Sequence, residues 1–191
     1  MQKKRSGGRA AEIKAAVFAA AEALLGVKPP GAISMVDVAE RAGVAATSLY
    51  RRWGDLPTLL MDVAVERLMR ESPLPDTGSL QGDLDAWGAR IANSLGSWEG
   101  STFFRVYVAT AQMAGKADGR NAAVLRRIEE VAGMLERARA RGEHAPTLDE
   151  VSDHLVAPLY MRALLAAPID EALSRALVGR LLNTADGRTG K

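Results

Sequence analysis

The stretch RAGVAATSLYRRW (residues 41–53) has small, uncharged side chains in its middle and aromatic and cationic ones at its end. Ala39, Gly43 and Leu49 occur at the spacing of two short helices joined by a tight turn. Ala39 allows the helices to approach closely, Gly43 can adopt the left-handed conformation of the turn, and Leu49 anchors the second helix in a core. This spacing predicts a helix-turn-helix, whose second helix enters the major groove of DNA with its N-terminal end.

The order of side chains along the second helix predicts two kinds of DNA contact. Short side chains at its N-terminal end let base edges come close, and the hydroxyl and guanidinium groups that follow can reach phosphate oxygens at the rim. The predicted base-facing residues are Ala45, Ala46, Thr47 and Ser48. The predicted rim residues are Tyr50, Arg51 and Arg52. The alternative is two packed helices without a DNA role. They would explain Ala39, Gly43 and Leu49 but not the rim residues Tyr50, Arg51 and Arg52.

Charge is distributed unevenly along the 191-residue chain. Residues 1–53 carry nine Lys or Arg and four Asp or Glu, whereas residues 54–191 carry sixteen and nineteen. A basic N-terminal region on a mildly acidic remainder indicates a polyanionic partner for the first region alone. A solvated basic face is the alternative when charge is considered by itself.

Apolar residues recur at intervals of three and four throughout, which predicts an all-α protein. We expect Ser34 and Asp55 to cap the second and fourth helices and Gly43 to end the second. The predicted helices span about 10–25, 35–42, 45–52, 56–70, 79–97, 100–114, 119–141, 147–167 and 169–183. The proline-containing break SPLPDTGS (72–79) separates the helices of two regions. We predict a helix-turn-helix domain at 1–54, a linker helix and loop at 55–78, and a helical ligand-binding and dimerisation domain at 79–191.

The segment ISMVDVAERAGVAATSLYRRWGDLPTLL (33–60) resembles the DNA-binding segment of the TetR family of bacterial transcriptional regulators, over four helices at about 10–68. The segment VAPLYMRALLAAPIDEALSRALV (156–178) resembles the last two helices of one subgroup of these regulators. The resemblance implies a ligand-responsive repressor that binds a palindromic DNA operator as a homodimer. An all-helical interaction or small-molecule-binding protein without a regulatory DNA role is the alternative.

The resemblance also implies roles for single residues. Ser34 and Tyr50 would bind phosphates, and Thr47 and the backbone around Ala46 would face bases. Arg52 stands where many members have a histidine against the DNA backbone. Leu56 stands where the family commonly has a phosphate-binding lysine, a departure from its pattern.

Two apolar stripes near the end of the chain predict the dimer interface, because two such stripes from each subunit can form a four-helix bundle at a two-fold axis. The predicted interface residues are Leu155, Leu159, Ile169, Leu173, Leu177 and Leu181. For any single helix, the alternative is that the stripe faces the core of its own subunit. Pro158 lies inside the first stripe, so we expect it to kink that helix or to open its hydrogen bonding.

The aromatic residues are few, and most of them cluster between residues 87 and 107. Such a cluster is typical of an apolar pocket between helices, although ordinary core packing is the alternative for each residue. The predicted pocket residues are Trp87, Trp98, Phe103, Phe104, Tyr107, Met134 and His154. We expect a small apolar effector there and no cofactor or metal, since neither His144 nor His154 has other ligands at metal spacing.

Several function classes are disfavoured by what the sequence lacks. It contains no cysteine, no glycine-rich phosphate loop, no HExxH motif and no nucleophile elbow, so an enzyme is not expected. It has no run of 18 apolar residues and no apolar segment after its basic start, so we expect neither a membrane span nor a signal peptide. A cytoplasmic location is the resulting prediction.

Overall fold

The computed structural model describes residues 6–111 and 122–186, and all regular secondary structure within them is helical. The first five segments are α1 (Ser6–Leu25), a 3-10 turn (Pro30–Ala32), α2 (Met35–Ala42), α3 (Ala46–Trp53) and α4 (Leu56–Glu71). The later helices are α5 (Leu80–Gly96), α6 (Trp98–Ala111), α7 (Ala122–Ala140), α8 (Leu148–Val151), α9 (Ala157–Leu164) and α10 (Glu171–Asp186). The predicted all-α class is confirmed. The predicted ends of two helices, near residues 114 and 119, lie outside the described residues.

Local capping explains why the first helices begin and end as predicted. The Ser34 hydroxyl accepts a hydrogen bond from the backbone N–H of Asp37, which satisfies one free donor of the first turn of α2. Gly43 ends α2 with a φ of 67°, a conformation that glycine adopts without steric cost. The Asp55 carboxylate accepts the N–H of Thr58 at 2.8 Å and so caps α4. All three predicted capping roles are confirmed.

A π-helical turn, Ser152–Val156, connects α8 to α9. At its end the N–H of Ala157 donates to the carbonyl of Ser152, five residues back. Pro158 follows directly and has no N–H to continue an α-helical ladder. The expectation that Pro158 opens the hydrogen bonding of this helix is confirmed.

The described residues fall into two compact units. The first comprises residues 6–64 and 106–111, and the second comprises 65–105 and 122–186. The division passes through α4, inside the predicted linker, and through α6. The predicted domain limits at 54 and 78 therefore stay a prediction. Within the described residues, no helix is both long and apolar enough to cross a membrane.

The core of the first unit joins the three N-terminal helices. α1 packs against α2, and α2 packs against α3. Val17 and Ala21 of α1, Val38 of α2 and Leu49 of α3 are completely buried. At about 1.5–3 kcal/mol for each large apolar side chain, their burial is what holds the short helices α2 and α3 in place.

In the second unit, α5 is central, because it packs against α7, α9 and α10. α10 approaches α5 closely at Gly88, where an added Cβ atom would lie only 2.3 Å from the Ser174 hydroxyl. Leu84, Leu155 and Leu181 are among the buried leucines of this core. Glycine at residue 88 is therefore required for the contact between α5 and α10.

A buried carboxylate fixes the start of α5. Asp83 is completely buried and accepts hydrogen bonds from the N–H and the hydroxyl of Thr77, at 2.6 and 2.8 Å. Arg141, which follows α7, lies 3.9 Å from its second oxygen and 2.6 Å from Glu143. Glu143 accepts the N–H of Leu80, and this bond together with Arg141 holds the pKa of Glu143 below its usual value. The cluster ties the start of α5 to the end of α7.

We predict that Asp83→Ala destabilises the protein by about 1–3 kcal/mol, since it removes a completely buried acceptor that binds both donors of Thr77. The matched control is Asp76→Ala, which removes an exposed carboxylate 3.6 Å from Arg137 and should change stability by less than about 1 kcal/mol. Chemical unfolding in urea measures both variants. Equal stability of the two variants would contradict this role for Asp83.

Candidate nucleic-acid interface

α3 has a buried face and an exposed face at the spacing of a helix. Leu49 and Trp53, four residues apart, are buried, whereas Thr47 and Arg51, also four residues apart, are exposed. Ala45 caps the N-terminus in an extended conformation and provides no side-chain hydrogen bond there. The first backbone N–H groups of α3 therefore point out of the helix towards any acceptor that approaches its N-terminal end.

The C-terminal end of α3 is anchored by Trp53. Its ring centroid lies 6.2 Å from that of Phe18 in α1, and its indole N–H donates to Asp62 of α4 at 3.1 Å. These contacts fix the end of the helix that carries Arg51 and Arg52. The opposite end, which begins at Ala46, faces away from this anchor.

Most of the α3 residues predicted to contact DNA are accessible in the first unit. Ala45, Thr47, Tyr50, Arg51 and Arg52 are exposed, with Tyr50 at 49% of its full area. Ala46 and Ser48 are half-buried. An exposed tyrosine beside two exposed arginines is unusual for a core-forming helix and suits contact with a polyanion.

Arg52 has contacts that sequence reasoning did not anticipate. Its guanidinium lies 5.0 Å from the centre of the Trp53 ring, and its Nη1 donates to the carbonyl of Ala10 in α1 at 3.4 Å. A stacked guanidinium is partly ordered before it meets a ligand, so less entropy is lost when its other N–H groups bind a phosphate.

Ser34 is committed to the cap of α2. Its backbone N–H donates to Asp37 at 2.8 Å and its hydroxyl both accepts from and donates to that residue. These bonds, the hydroxyl first, hold the pKa of Asp37 below its usual value, with Lys28 3.5 Å from the carboxylate. The hydroxyl proton predicted to bind a phosphate is thus used within the protein, so a phosphate contact by Ser34 requires that this bond be exchanged.

The residues predicted for an effector pocket are mostly core residues of the second unit. Trp87, Phe103, Phe104 and Met134 are buried, and Phe104 makes an edge-on contact with Tyr160 at 4.8 Å. His154 is exposed, which argues against a place inside a pocket. Tyr107 is half-buried and belongs to the first unit, and the side chain of Trp98 lies outside those described.

The second unit instead contains a cleft of about 600 Å³ that the sequence did not reveal. It lies between the end of α4, the loop after it and α7, and none of the seven predicted pocket residues lines it. Its charged lining consists of Arg70, Arg126, Arg127, Arg137, Glu66 and Glu130. Its two helices are some sixty residues apart in the sequence, so no local pattern indicated that they form a cleft together.

The two apolar stripes predicted to form the dimer interface are largely buried within a single subunit. Leu155, Leu159, Leu177 and Leu181 are buried within a single subunit, where they contribute to its core. Leu173 and Ile169 are half-buried. An apolar stripe on a helix can face the core of its own subunit or a partner subunit. Here most of the two stripes faces the core of the same subunit.

Comparison with known proteins gives two family matches. Residues 17–56 match the family described as bacterial regulatory proteins, tetR family, and residues 74–181 match the tetracyclin repressor-like C-terminal domain. The first match covers α2 and α3 and the second runs from the loop after α4 into α10. Together they cover most of the chain, with residues 57–73 between them unmatched.

Individual relatives agree with these matches. The HTH-type transcriptional regulator YdeS of Bacillus subtilis is 30% identical over 183 residues, 93% of this chain and 92% of YdeS. The HTH-type transcriptional regulator AqdR of Rhodococcus erythropolis is 33% identical over 111 residues, 58% of this chain and 54% of AqdR. The crystal structure of the TetR family transcription regulator SCO0332 superposes with a TM-score of 0.74 at 27% identity, over 90% of this chain and 97% of that one.

The two ends of α3 should respond differently to substitution. Tyr50→Phe removes one hydroxyl at the rim and should weaken binding to every duplex by about two- to tenfold, because a phosphate contact carries no sequence information. Thr47→Ala should change the ranking of duplexes, because a base-facing contact is lost. Fluorescence anisotropy against a panel of single-base variants measures both effects. A changed ranking for Tyr50→Phe with intact overall affinity would reverse these assignments.

Proposed function

The chain belongs to the TetR family of bacterial regulatory proteins and is a DNA-binding transcriptional regulator, and we propose that it is a ligand-responsive repressor that binds a palindromic operator as a homodimer. DNA binding is supported above all by the exposed N-terminal end of α3. The helix is held in place at its other end by the buried Trp53. The expected location is the cytoplasm, where an operator is accessible.

The proposed DNA contacts divide by position along α3. Ala45, Ala46, Thr47 and Ser48 face the bases, and direct hydrogen-bond readout falls to the hydroxyls of Thr47 and Ser48. Alanine can touch a thymine methyl group but cannot read a guanine edge. Tyr50, Arg51 and Arg52 bind phosphates on either side of the groove. Sequence selectivity therefore depends on few hydrogen bonds and partly on DNA shape.

The proposed dimer surface uses the exposed sides of α9 and α10. Met161 and Leu165 are 55% and 70% exposed, a large apolar area for a subunit that works alone. Ala172, Ala176 and Gly179 follow one face of α10, and a Cβ added at Gly179 would have no atom within 4 Å. Small residues along a helix let a partner helix come close, which supports a four-helix bundle around a two-fold axis.

Operator binding should depend on salt and on two half-sites. Duplexes selected from a random pool should contain an inverted repeat with centres about one helical turn apart or more. Their affinity should fall about a thousandfold or more between 50 and 200 mM salt, since a dimer with some six to ten phosphate contacts releases counterions. Equal affinity for a single half-site, or no dependence on salt, would contradict the proposal.

Charge on the exposed sides of α9 and α10 should separate the subunits. Met161→Glu combined with Ala176→Glu places charges in the proposed interface without touching the subunit core, so a folded monomer with weak operator binding is expected. Ile128→Glu, at another exposed apolar position on α7, is the matched control and should stay dimeric. Sedimentation velocity measures both variants. An intact dimer for the double variant would refute this surface.

A further inference from the structure

The cleft between the end of α4 and α7 combines a cationic lining with an apolar one. Its six charged residues are four arginines and two glutamates, so the lining carries a formal charge of +2. Met69, Pro73 and Leu74 add apolar surface on the α4 side, and Gly133 lies on the α7 side. A volume of about 600 Å³ lies within the range that drug-sized ligands occupy.

Arg127 is a fixed positive charge in this cleft. Its Nη1 and Nη2 donate to the carbonyls of Ser72 and Met69, each at 2.7 Å, and only 12% of its side chain is exposed. Glu130 lies 3.5 Å away but is itself nearly half exposed, so water weakens its attraction. Burial lowers the pKa of Arg127, yet a guanidinium stays protonated at neutral pH because it is a very strong base.

Two further arginines of the cleft are more exposed, and each forms a long ion pair with a carboxylate. Arg126 lies 4.0 Å from Glu66, and Arg137 lies 3.6 Å from Asp76. Their side chains are 59% and 44% exposed. Ion pairs of this length between exposed side chains contribute little, so an incoming anion can replace either carboxylate at small cost.

Gly133 is the feature that ordinary folding does not explain. It lies in the interior of α7, where glycine costs about 1 kcal/mol relative to alanine. A Cβ atom added there would meet only the Nη1 atom of Arg137, at 3.9 Å, so no close packing requires glycine. The missing side chain leaves room in the cleft beside the arginines.

We propose that this cleft binds a small organic anion, a carboxylate joined to an apolar chain, and that this molecule is the effector of the repressor. The carboxylate pairs with one of the two exposed arginines, Arg126 or Arg137, which lie about 16 Å apart along α7, in the field of the fixed charge of Arg127. The apolar chain lies against Met69 and Leu74. The ligand class differs from the small, largely apolar effector that the aromatic residues suggested, because it carries a carboxylate. The effector role rests on the proposed function, whereas the binding site does not.

The same cleft gives the ligand a physical connection to α4. Arg127 donates to carbonyls at the end of α4 and just beyond it, so a carboxylate beside Arg127 competes for the guanidinium that holds them. α4 also holds Asp62, the acceptor for the Trp53 indole that anchors α3. A ligand that favours one position of α4 over another changes operator affinity, and by linkage the operator changes ligand affinity by the same factor.

The test uses decanoate as the probe and decanol as its uncharged counterpart, with isothermal titration calorimetry on the full chain. Decanoate should bind at least about tenfold more tightly than decanol, because only the carboxylate can pair with the arginines. Arg126→Ala with Arg137→Ala should remove most of that preference, and Arg105→Ala, on α6 outside the cleft, should retain it. Equal binding of decanoate and decanol, or no decanoate binding at millimolar concentration, would overturn the proposal.

Gly133 supplies a second, steric test. Gly133→Leu should fill the cleft and weaken decanoate binding by at least about tenfold, while its thermal midpoint stays equal or rises because leucine favours a helix. Gly133→Ala gains the same helix preference with a much smaller side chain and should keep most of the binding. Unchanged binding by Gly133→Leu would place the ligand elsewhere.

Operator affinity measured with and without decanoate separates the site from the proposed function. Decanoate that binds in the cleft but leaves operator affinity unchanged overturns its role as effector and keeps the site. Operator release by decanoate that persists in Gly133→Leu keeps the ligand-responsive function and overturns the site. Loss of both effects in Gly133→Leu, with both retained in Gly133→Ala, supports the site and the role together.

Discussion

Trp53 makes the contacts on which the arrangement of the first unit depends. Its ring lies against Phe18 of α1, its N–H donates to Asp62 of α4, and Arg52 stacks over its face. Removing a buried tryptophan costs about 3–5 kcal/mol, a large part of the 5–15 kcal/mol that stabilises a typical domain. Because the anchor is at the C-terminal end of α3, the bare N-terminal end is presented to solvent.

Most of the fold follows from local signals that act within a few residues. The cap of α2 needs only Ser34 and Asp37, its end needs only Gly43, and the opened ladder before α9 is predicted by Pro158 alone. Such features can be read from the sequence because their cause and effect are neighbours along the chain. The surface of α3 was predictable for the same reason, since its buried and exposed faces alternate with helical periodicity.

Features that depend on distant residues could not be predicted in this way. Leu155 and Leu177 form regular stripes, but periodicity does not say whether a stripe meets its own core or a partner subunit. The aromatic cluster likewise suits a pocket and a core equally well until burial is known. The arginine-lined cleft brings together Arg70 and Arg137, which are sixty-seven residues apart in the sequence. The hydroxyl of Ser34 can be assigned to the cap of α2 only when its hydrogen-bond distances are known.

α4 connects these observations, because one continuous helix contributes residues to both compact units. Its first half holds Asp62, the partner of Trp53, and its end provides carbonyls that Arg127 binds. Coupling between two sites in proteins is typically about 1–3 kcal/mol, which corresponds to changes of about 5–150-fold in affinity. A shift in the hydrogen bonds at the end of one helix is of that order, so we propose α4 as the route of coupling.

We propose that the N-terminal end of α3 touches the bases while its C-terminal end is held by the protein. Nuclear Overhauser contacts between the DNA and methyl-labelled alanine in an operator complex test it most directly. We expect contacts from the methyl groups of Ala45 and Ala46 to base protons in the major groove. A complex in which these methyl groups show no DNA contact, while alanines on another helix do, would contradict it.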